Sequence, residues 1–309
     1  MRQNRSTNGN LAGVDSIHQI AKRALREEDR GITRNRLQTL LNGDKINLPK
    51  VRVKTRVRIR NKIHLQALNM IETIEENWPK GTKILVILAH PDDPEFFLGG
   101  TIAHWVDKGY SVHYCLLTKG EKGINPGFPE GEALAALRVD EQRSAAAVLG
   151  VQHVQFMDYA DGYLEAGLDK RLAVTRIIRR EKPNVVVSCD PQSYYIADSY
   201  LNHPDHRIAG QIVVDSVFPA AINNAFFPEL LAEDLPAVEI SELWLSLPQV
   251  PNVRLDVDLY WERRLKALLE HKSQIINAEK FLSRMQAHKA NMVSEDGRYY
   301  EYFRRIKFH

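Results

Sequence analysis

The stretch KILVILAHPDDPEFFLGGT, residues 83–101, joins an apolar run to a dense polar cluster. The apolar run covers residues 84–89, and the six residues that follow it contain His90, Asp92, Asp93 and Glu95. A short, continuous apolar run is typical of a strand that is buried on both faces of a sheet. The sequence therefore predicts a buried strand whose carboxyl end carries one imidazole and three carboxylates.

Strand-like and helix-like segments alternate from Lys83 onward. We predict strands over residues 83–89, 111–118, 153–157, 184–189, 242–247 and 252–257, and helices over residues 101–108, 132–149, 168–181, 205–217 and 259–278. This alternation predicts an α/β fold with a Rossmann-like, mainly parallel sheet and helices on both faces. Ligands of such sheets bind at the carboxyl ends of the strands, which is where the polar cluster lies.

The first 80 residues differ from the rest in charge. They hold 17 Lys and Arg against 8 Asp and Glu, whereas acidic residues outnumber basic ones in the remainder. We therefore predict a basic extension over residues 1–80 and one domain over residues 81–309. Within the extension we expect disorder over residues 1–15, helices over residues 16–42 and 62–78, and a strand over residues 51–60.

The predicted strand VRVKTRVRIR, residues 51–60, alternates apolar and basic side chains. Two interpretations remain open. The strand can be a basic edge that discourages pairing between sheets, or a surface that binds an anionic polymer. Aromatic residues do not interrupt the basic ones and no base-reading motif is present, so we do not predict a nucleic-acid partner.

The bulk composition is that of a globular protein. The chain has 309 residues, of which 44% are hydrophobic and 26% are charged. No window reaches the ~18 apolar residues of a membrane span, and the N-terminus lacks the apolar core of a signal peptide. We therefore predict a cytoplasmic protein without a membrane span. Cys115 and Cys189 lie in strand-like runs, which favours buried thiols over a disulfide.

A second polar cluster, NHPDHR, occupies residues 202–207 at the predicted start of a helix. Two clusters of His and Asp can supply one metal site if the fold brings the strand ends together. Three nitrogen and oxygen ligands with one open position are the catalytic zinc arrangement. Adjacent aspartates such as Asp92 and Asp93 cannot easily share one role, so one can bind the ion while the other accepts a proton from water.

The two clusters together carry a family resemblance. The motifs AHPDDPE and GGT, followed later by HPDH, resemble the zinc-dependent PIG-L/LmbE-like N-acetylglucosaminyl deacetylases. Further matches are LTKGEKG at 117–123, LRVDEQRSAAAVLGV at 137–151, DG at 161–162, ALLEHKSQ at 267–274 and YYEYF at 299–303. The resemblance implies a hydrolase that removes an acetyl group from an N-acetylated sugar or sugar conjugate. It also implies one Zn²⁺ ion per chain.

The resemblance assigns roles to the residues of the first motif and to the end of the second. It makes His90, Asp93 and His206 the zinc ligands, and it makes Asp92 the general base. Zinc can lower the pKa of bound water from about 15.7 to about 7, so a carboxylate suffices as the base.

Other roles follow from the same resemblance. His203 is expected to be an imidazolium that stabilises the oxyanion and protonates the leaving amine, and Asp205 is expected to orient it. Arg138 corresponds to a substrate-contacting arginine of the family, although an exposed helix arginine is an equal alternative. Glu95 and His271 are interpreted as structural.

Other functions stay open at this point. They are an amidase that acts on a thiol-sugar conjugate, another metallohydrolase such as a phosphoesterase, and a module that binds an anionic polymer. The expected partner is a small N-acetylated sugar whose identity the sequence does not fix. Related enzymes often assemble into trimers or hexamers, so a homo-oligomer is also expected.

Overall fold

The computed structural model describes residues 71–196 and 200–308. The predictions for residues 1–70, including the basic strand at 51–60, lie outside these residues. The compact unit begins at Ile71, ten residues before the boundary that we predicted. Glu72 and Thr73 pair in parallel with Val253 and Arg254. The helix expected over residues 62–78 is therefore wrong for residues 71–78, which contribute a short strand and an irregular segment.

The described residues form strands and helices in alternating order. The strands are β1 (Glu72–Thr73), β2 (Lys83–Leu88), β3 (Ser111–Thr118), β4 (His153–Tyr159), β5 (Val185–Cys189), β6 (Tyr195–Ile196), β7 (Tyr200–Leu201), β8 (Glu242–Ser246), β9 (Val253–Asp256) and β10 (Tyr300–Lys307). The helices are α1 (Asp93–Asp107), α2 (Gly131–Leu149), α3 (Leu168–Glu181), α4 (Pro204–Asp215), α5 (Glu229–Ala232), α6 (Trp261–Leu268) and α7 (Ala278–Met292).

Eight of these strands form one sheet in the order β1-β9-β10-β8-β5-β2-β3-β4. Strand β10 is antiparallel to both of its neighbours, and the other pairs are parallel. The chain runs outward from β2 through β3 to β4 and then returns to place β5 on the other side of β2. This reversal creates a switch point between β2 and β5, where open α/β sheets bind their ligands.

The two faces of β2 explain its apolar sequence. Ile84, Val86 and Leu88 are buried in the core on one face, whereas Leu85 and Ile87 belong to the core on the other face. Successive side chains of a strand point to opposite faces, so a strand that helices cover on both sides needs apolar residues throughout. The predicted mainly parallel sheet with helices on both faces is confirmed.

Two predicted helices have the wrong limits. The first was expected over residues 101–108, but α1 begins at Asp93, and within it only Leu98 departs from helical geometry. A Cβ at Gly100 would lie 2.8 Å from Val257, so close packing explains the glycine. The helix expected over residues 259–278 is present only as α6, which ends at Leu268; residues 269–277 are irregular, and α7 lies beyond the predicted range except for Ala278.

Gly210 sets the distance between helix α4 and strand β5. A Cβ at this position would lie 2.2 Å from the carbonyl oxygen of Cys189 and 3.1 Å from the backbone nitrogen of Pro191. These neighbours are backbone atoms, which cannot rotate away as a side chain could. The helix must therefore move if residue 210 acquires a side chain.

We expect Gly210→Ala to lower the thermal unfolding midpoint, although a Gly to Ala change within a helix usually gains about 1 kcal/mol. Overpacking of a close contact costs about 1–3 kcal/mol, which outweighs that gain. The matched control is Gln211→Ala, since Gln211 is the next residue of α4 and is exposed. Thermal unfolding of both variants measures the difference, and a midpoint for Gly210→Ala at or above that of the parent protein contradicts the prediction.

Candidate active site

The end of β2 places two carboxylates in different environments. Asp93 opens helix α1 and is 2% exposed. Its Oδ2 accepts hydrogen bonds from the backbone N–H groups of Ala89 at 3.1 Å and His90 at 2.9 Å. Asp92, directly before it, has a φ of 91°. This left-handed conformation is uncommon for residues other than glycine and concentrates at functional sites.

Helix α4 brings the second cluster to the same place. His203 is the N-cap of the helix, and its Nδ1 accepts a hydrogen bond from the backbone N–H of Asp205 at 3.2 Å. His206 lies in the first turn, where its Nδ1 is 2.9 Å from Oδ1 of Asn202. That contact leaves Nε2 of His206 facing the end of β2.

Three donor atoms from the two clusters converge. His90 Nδ1 lies 3.2 Å from His206 Nε2, and His206 Nε2 lies 3.1 Å from Asp93 Oδ1. His90 Nδ1 lies 3.6 Å from Asp93 Oδ2. Tetrahedral zinc with bonds of about 2.0–2.2 Å separates its ligand atoms by roughly 3.3–3.6 Å. The spacing and the types of these donors therefore fit a zinc ion.

His203 adds a further nitrogen to this group, because ring nitrogens of His90, His203 and His206 lie within 4.8 Å of one another. In contrast to His206, His203 has no carboxylate within ion-pair distance among the described residues. Its position suits a group that faces the pocket beside a possible metal-binding site.

The other ring nitrogen of His90 faces a pair of acids. His90 Nε2 lies 3.1 Å from Asp161 Oδ1 and 3.4 Å from Asp205 Oδ2. The N–H of Gly162 donates to Asp205 at 2.7 Å, and the N–H of Lys122 donates to Asp161 at 2.9 Å. Both carboxylates are thus fixed by backbone groups and orient the imidazole, as partners of metal-binding histidines do.

These contacts correct the predicted role of Asp205 and add Asp161 to the candidate site. We expected Asp205 to orient His203, but its carboxylate contacts His90 and the backbone of residues 162 and 164. Asp161 was absent from the predicted site. The only signal in the sequence was the short DG match at residues 161–162, which carries no ligand spacing.

Neighbouring charges explain the shifted pKa values of Asp93 and His90. Burial disfavours ionisation of Asp93, but the neighbouring His206 and His90 outweigh it and lower the pKa of this carboxyl well below its usual value. Burial also opposes protonation of His90, yet Asp93, Asp161 and Asp205 together raise the pKa of its imidazole well above the usual value. A metal ion that binds here therefore competes with protonation of His90, which these carboxylates favour.

Burial raises the pKa of Asp92, and Arg138 opposes that rise. Arg138 Nη2 lies 3.2 Å from Asp92 Oδ2 and also donates to the carbonyl oxygen of Pro91 at 2.6 Å. Its Nη1 donates to the carbonyl oxygen of Gly120 at 2.7 Å. The alternative of an exposed helix arginine is wrong, since Arg138 is 4% exposed. Its contacts position Asp92.

His203 differs from the expected imidazolium. Burial, His90 and His206 lower the pKa of His203, although Asp205 and Asp161 act in the opposite direction. Its Nδ1 accepts a backbone hydrogen bond, which favours the neutral ring with the proton on Nε2. A neutral ring of this tautomer can donate a hydrogen bond to an oxyanion.

The comparisons with known proteins point to one family. The model of the family described as PIG-L: GlcNAc-PI de-N-acetylase matches residues 85–217, which contain both clusters. A diacetylchitobiose deacetylase of Thermococcus kodakarensis is 34% identical over 201 residues, covering 65% of this chain and 73% of that protein. This chain belongs to the PIG-L family.

Other relatives agree with this PIG-L assignment. The solved structure of N,N'-diacetylchitobiose deacetylase from Pyrococcus horikoshii, in complex with its inhibitor MPG, is 32% identical and has a TM-score of 0.66. The match covers 73% of this chain and 84% of that one. A Bacillus anthracis protein described as probable N-acetyl-alpha-D-glucosaminyl L-malate deacetylase 2 is 29% identical and covers 62% of this chain and 80% of its own length.

An open pocket leads to the clusters of this PIG-L protein. Its volume is about 1210 Å³, and Asp92 and His203 contribute to its lining. Tyr195, Tyr200 and Lys122 also line it, and the two tyrosines are 61% and 59% exposed. Exposed aromatic faces and a cation around polar groups are suited to a hydroxylated, partly apolar ligand such as a sugar.

Among the helices that the structure describes, none combines the length and apolarity that a membrane crossing needs. Cys115 and Cys189 are both buried and free, as the sequence predicts.

Proposed function

We propose that this PIG-L protein is a zinc-dependent hydrolase that removes the acetyl group from an N-acetylated sugar or sugar conjugate. The observation that carries the proposal is the grouping of His90, Asp93 and His206 beside the carboxylate of Asp92 at the end of an open pocket. Three potential zinc ligands and a separate base are the components that amide hydrolysis by water needs. The products are acetate and a free amine.

The proposed roles follow from the contacts of each side chain. Zinc held by His90, Asp93 and His206 would supply Lewis-acid polarisation and an acidified water. Asp92 accepts the proton of the attacking water, because its partly buried carboxylate has a raised pKa and lines the pocket. His203 donates a hydrogen bond from Nε2 to the oxygen of the acetamide as negative charge develops there. The amine nitrogen receives its proton from Asp92 once that group is protonated.

The proposed substrate class is a sugar that carries an N-acetylglucosamine unit. Relatives from Thermococcus kodakarensis and Pyrococcus horikoshii are named for diacetylchitobiose, and the relative from Bacillus anthracis is named for an N-acetylglucosaminyl malate. The pocket is open to solvent, so it can admit a sugar that carries a second ring or a conjugated group.

A substrate screen tests this function directly. N-acetylglucosamine, diacetylchitobiose and N-acetylglucosaminyl malate are incubated with the zinc-loaded protein, and acetate and free amine are both measured. The expected result is the release of equal amounts of the two products, which a chelator abolishes and added Zn²⁺ restores. Turnover of a phosphate ester, with no acetate from any N-acetyl sugar, would instead support a phosphoesterase.

Metal binding at neutral pH is expected to release about one proton per ion. The raised pKa of His90 favours the protonated ring in the metal-free protein, and zinc needs the deprotonated nitrogen. Affinity should therefore rise with pH until the pH passes the raised pKa of His90. Calorimetry in buffers with different ionisation enthalpies measures the number of protons released.

Asp161→Asn provides the contrast for this experiment. Asp161 is one of the groups that raise the pKa of His90, so its loss should reduce the protons released at neutral pH. Asp158→Asn is the control, because the side chain of Asp158 is 89% exposed and pairs with Lys119. Equal proton release by the parent protein and Asp161→Asn would refute the assigned role of Asp161.

A further inference from the structure

Helix α2 holds Asp92 at two points. Arg138 contacts its carboxylate, and Gln142, one helical turn later, contacts its backbone. Oε1 of Gln142 accepts the hydrogen bond of the Asp92 N–H at 2.7 Å. Gln142 is 0% exposed, so water cannot replace this partner. The peptide group that carries Asp92 is therefore tied to a buried side chain.

The amide of Gln142 is itself fixed by a buried acid. Its Nε2 donates to Glu95 Oε1 at 3.0 Å and to Glu95 Oε2 at 3.1 Å. His271 Nε2 lies 3.1 Å from Glu95 Oε2, and both Glu95 and His271 are 0% exposed. Because a carboxylate can only accept, the donation from Nε2 determines which end of the Gln142 amide faces Asp92.

Asp92 needs such support because of its backbone. A φ of 91° is strained for a residue with a side chain, and strain of this kind costs about 1–3 kcal/mol and persists only where the surroundings enforce it. The carbonyl oxygen of Asp92 starts helix α1 by accepting from the N–H groups of Glu95 and Phe96. Gln142 fixes the N–H group of the same residue.

We propose that Gln142 is a positioning residue for Asp92, oriented by the buried pair Glu95 and His271. This inference rests on the proposed function, in which Asp92 is the general base. Gln142 does not line the pocket. It fixes the direction in which the strained backbone projects the Asp92 carboxylate, and a displacement of about 1 Å in such a group can cost 10²-fold in rate.

The test uses Gln142→Leu, which keeps a branched side chain of similar bulk and removes all three hydrogen bonds of the amide. In the zinc-loaded protein we expect unchanged zinc content and KM, and a kcat reduced by about 10–100-fold. In an Asp92→Asn background the same change should reduce kcat by less than about twofold, since residues that act as a unit are not additive. A residue with only a structural role would reduce kcat equally in both backgrounds, and that result would overturn the proposal.

A second measurement does not depend on activity. Hydrogen exchange of the Asp92 amide should be faster in Gln142→Leu than in the parent protein, because its acceptor is gone. The control Val174→Ala removes buried volume from the core on the other face of the sheet and should change neither this exchange nor kcat. Unchanged exchange in Gln142→Leu would contradict the proposal. If the parent protein hydrolyses no N-acetylated sugar, the proposed function fails, and exchange still decides whether Gln142 holds Asp92.

Discussion

The Asp92→Asn variant is expected to bind zinc at full stoichiometry and to lose about 10²–10⁴-fold in kcat, the usual contribution of general acid–base catalysis. Asn has the shape of Asp but cannot accept a proton at neutral pH. The zinc ligands are His90, Asp93 and His206 in the proposed site, so the metal should remain. Zinc content and kcat, measured on the same preparation, separate the two effects.

Asn is also the substitution that least disturbs the backbone. Asn adopts positive φ more readily than most residues, and the φ of residue 92 is 91°. Loss of the negative charge removes the partner of Arg138, which still donates to the carbonyl oxygens of Pro91 and Gly120. We therefore expect a folded variant whose defect is chemical.

Two further variants serve as a control and as a second test of the proposed roles. Asp158→Asn repeats the chemical change at an exposed position and should retain the parent kcat. His203→Ala should keep its zinc and lose rate, because its proposed contribution is a hydrogen bond to the oxyanion. If Asp92→Asn loses its metal while Asp93→Asn retains it, the roles assigned to the two aspartates are reversed.

Local sequence predicts the centre of the sheet well and its far edge poorly. Strand β2 is apolar from Ile84 onward and β3 and β5 are mostly apolar, because helices cover both of their faces. Strand β1 has only two residues, Glu72 and Thr73, and its partner lies about 180 positions later in the chain. Pairing over that distance leaves no local periodicity, so the same residues were predicted to be helical.

The break between α6 and α7 has a tertiary cause. Residues 269–277 contain neither glycine nor proline, and they give no local stop signal. In the structure His271 reaches Glu95, while the N–H and Oγ of Ser273 donate to the two carboxylate oxygens of Glu141. Buried carboxylates require partners, and supplying them from this segment prevents a continuous helix.

In the candidate site, too, some residues can be predicted from local sequence and others cannot. The motifs around His90 and His206 carry enough chemistry to indicate a metal site from sequence, and the switch point between β2 and β5 brings them together. Asp161 and Gln142 have no such spacing, since each reaches the site from a different loop or helix. Their roles depend on which nitrogen of His90 and which atoms of Asp92 they face, and only the folded chain specifies these contacts.

A graded loss of zinc affinity is expected along the series Asp93→Asn, Asp161→Asn and Asp158→Asn. Loss of a residue that only hydrogen-bonds a metal ligand typically weakens metal binding about 10–100-fold. Asp93 supplies a proposed ligand atom itself, so Asp93→Asn should weaken zinc binding by more than that. Asp161 is a residue of the first kind, because it contacts His90 Nε2 at 3.1 Å. Asp158 is exposed and should have no effect. Competition with a chromophoric chelator at constant pH measures the three affinities.

All three variants make the same change from Asp to Asn, so differences in their zinc affinity depend only on the position of the residue. In Asp93→Asn the neutral amide also removes the negative charge that raises the pKa of His90. The weaker proton competition at His90 offsets part of the lost affinity, and more so as the pH falls. Activity of Asp93→Asn should therefore return partly when zinc is added in excess, whereas Asp92→Asn should stay inactive at any zinc concentration. A larger loss in Asp161→Asn than in Asp93→Asn would instead place the ion on the other side of His90, between Asp161 and Asp205.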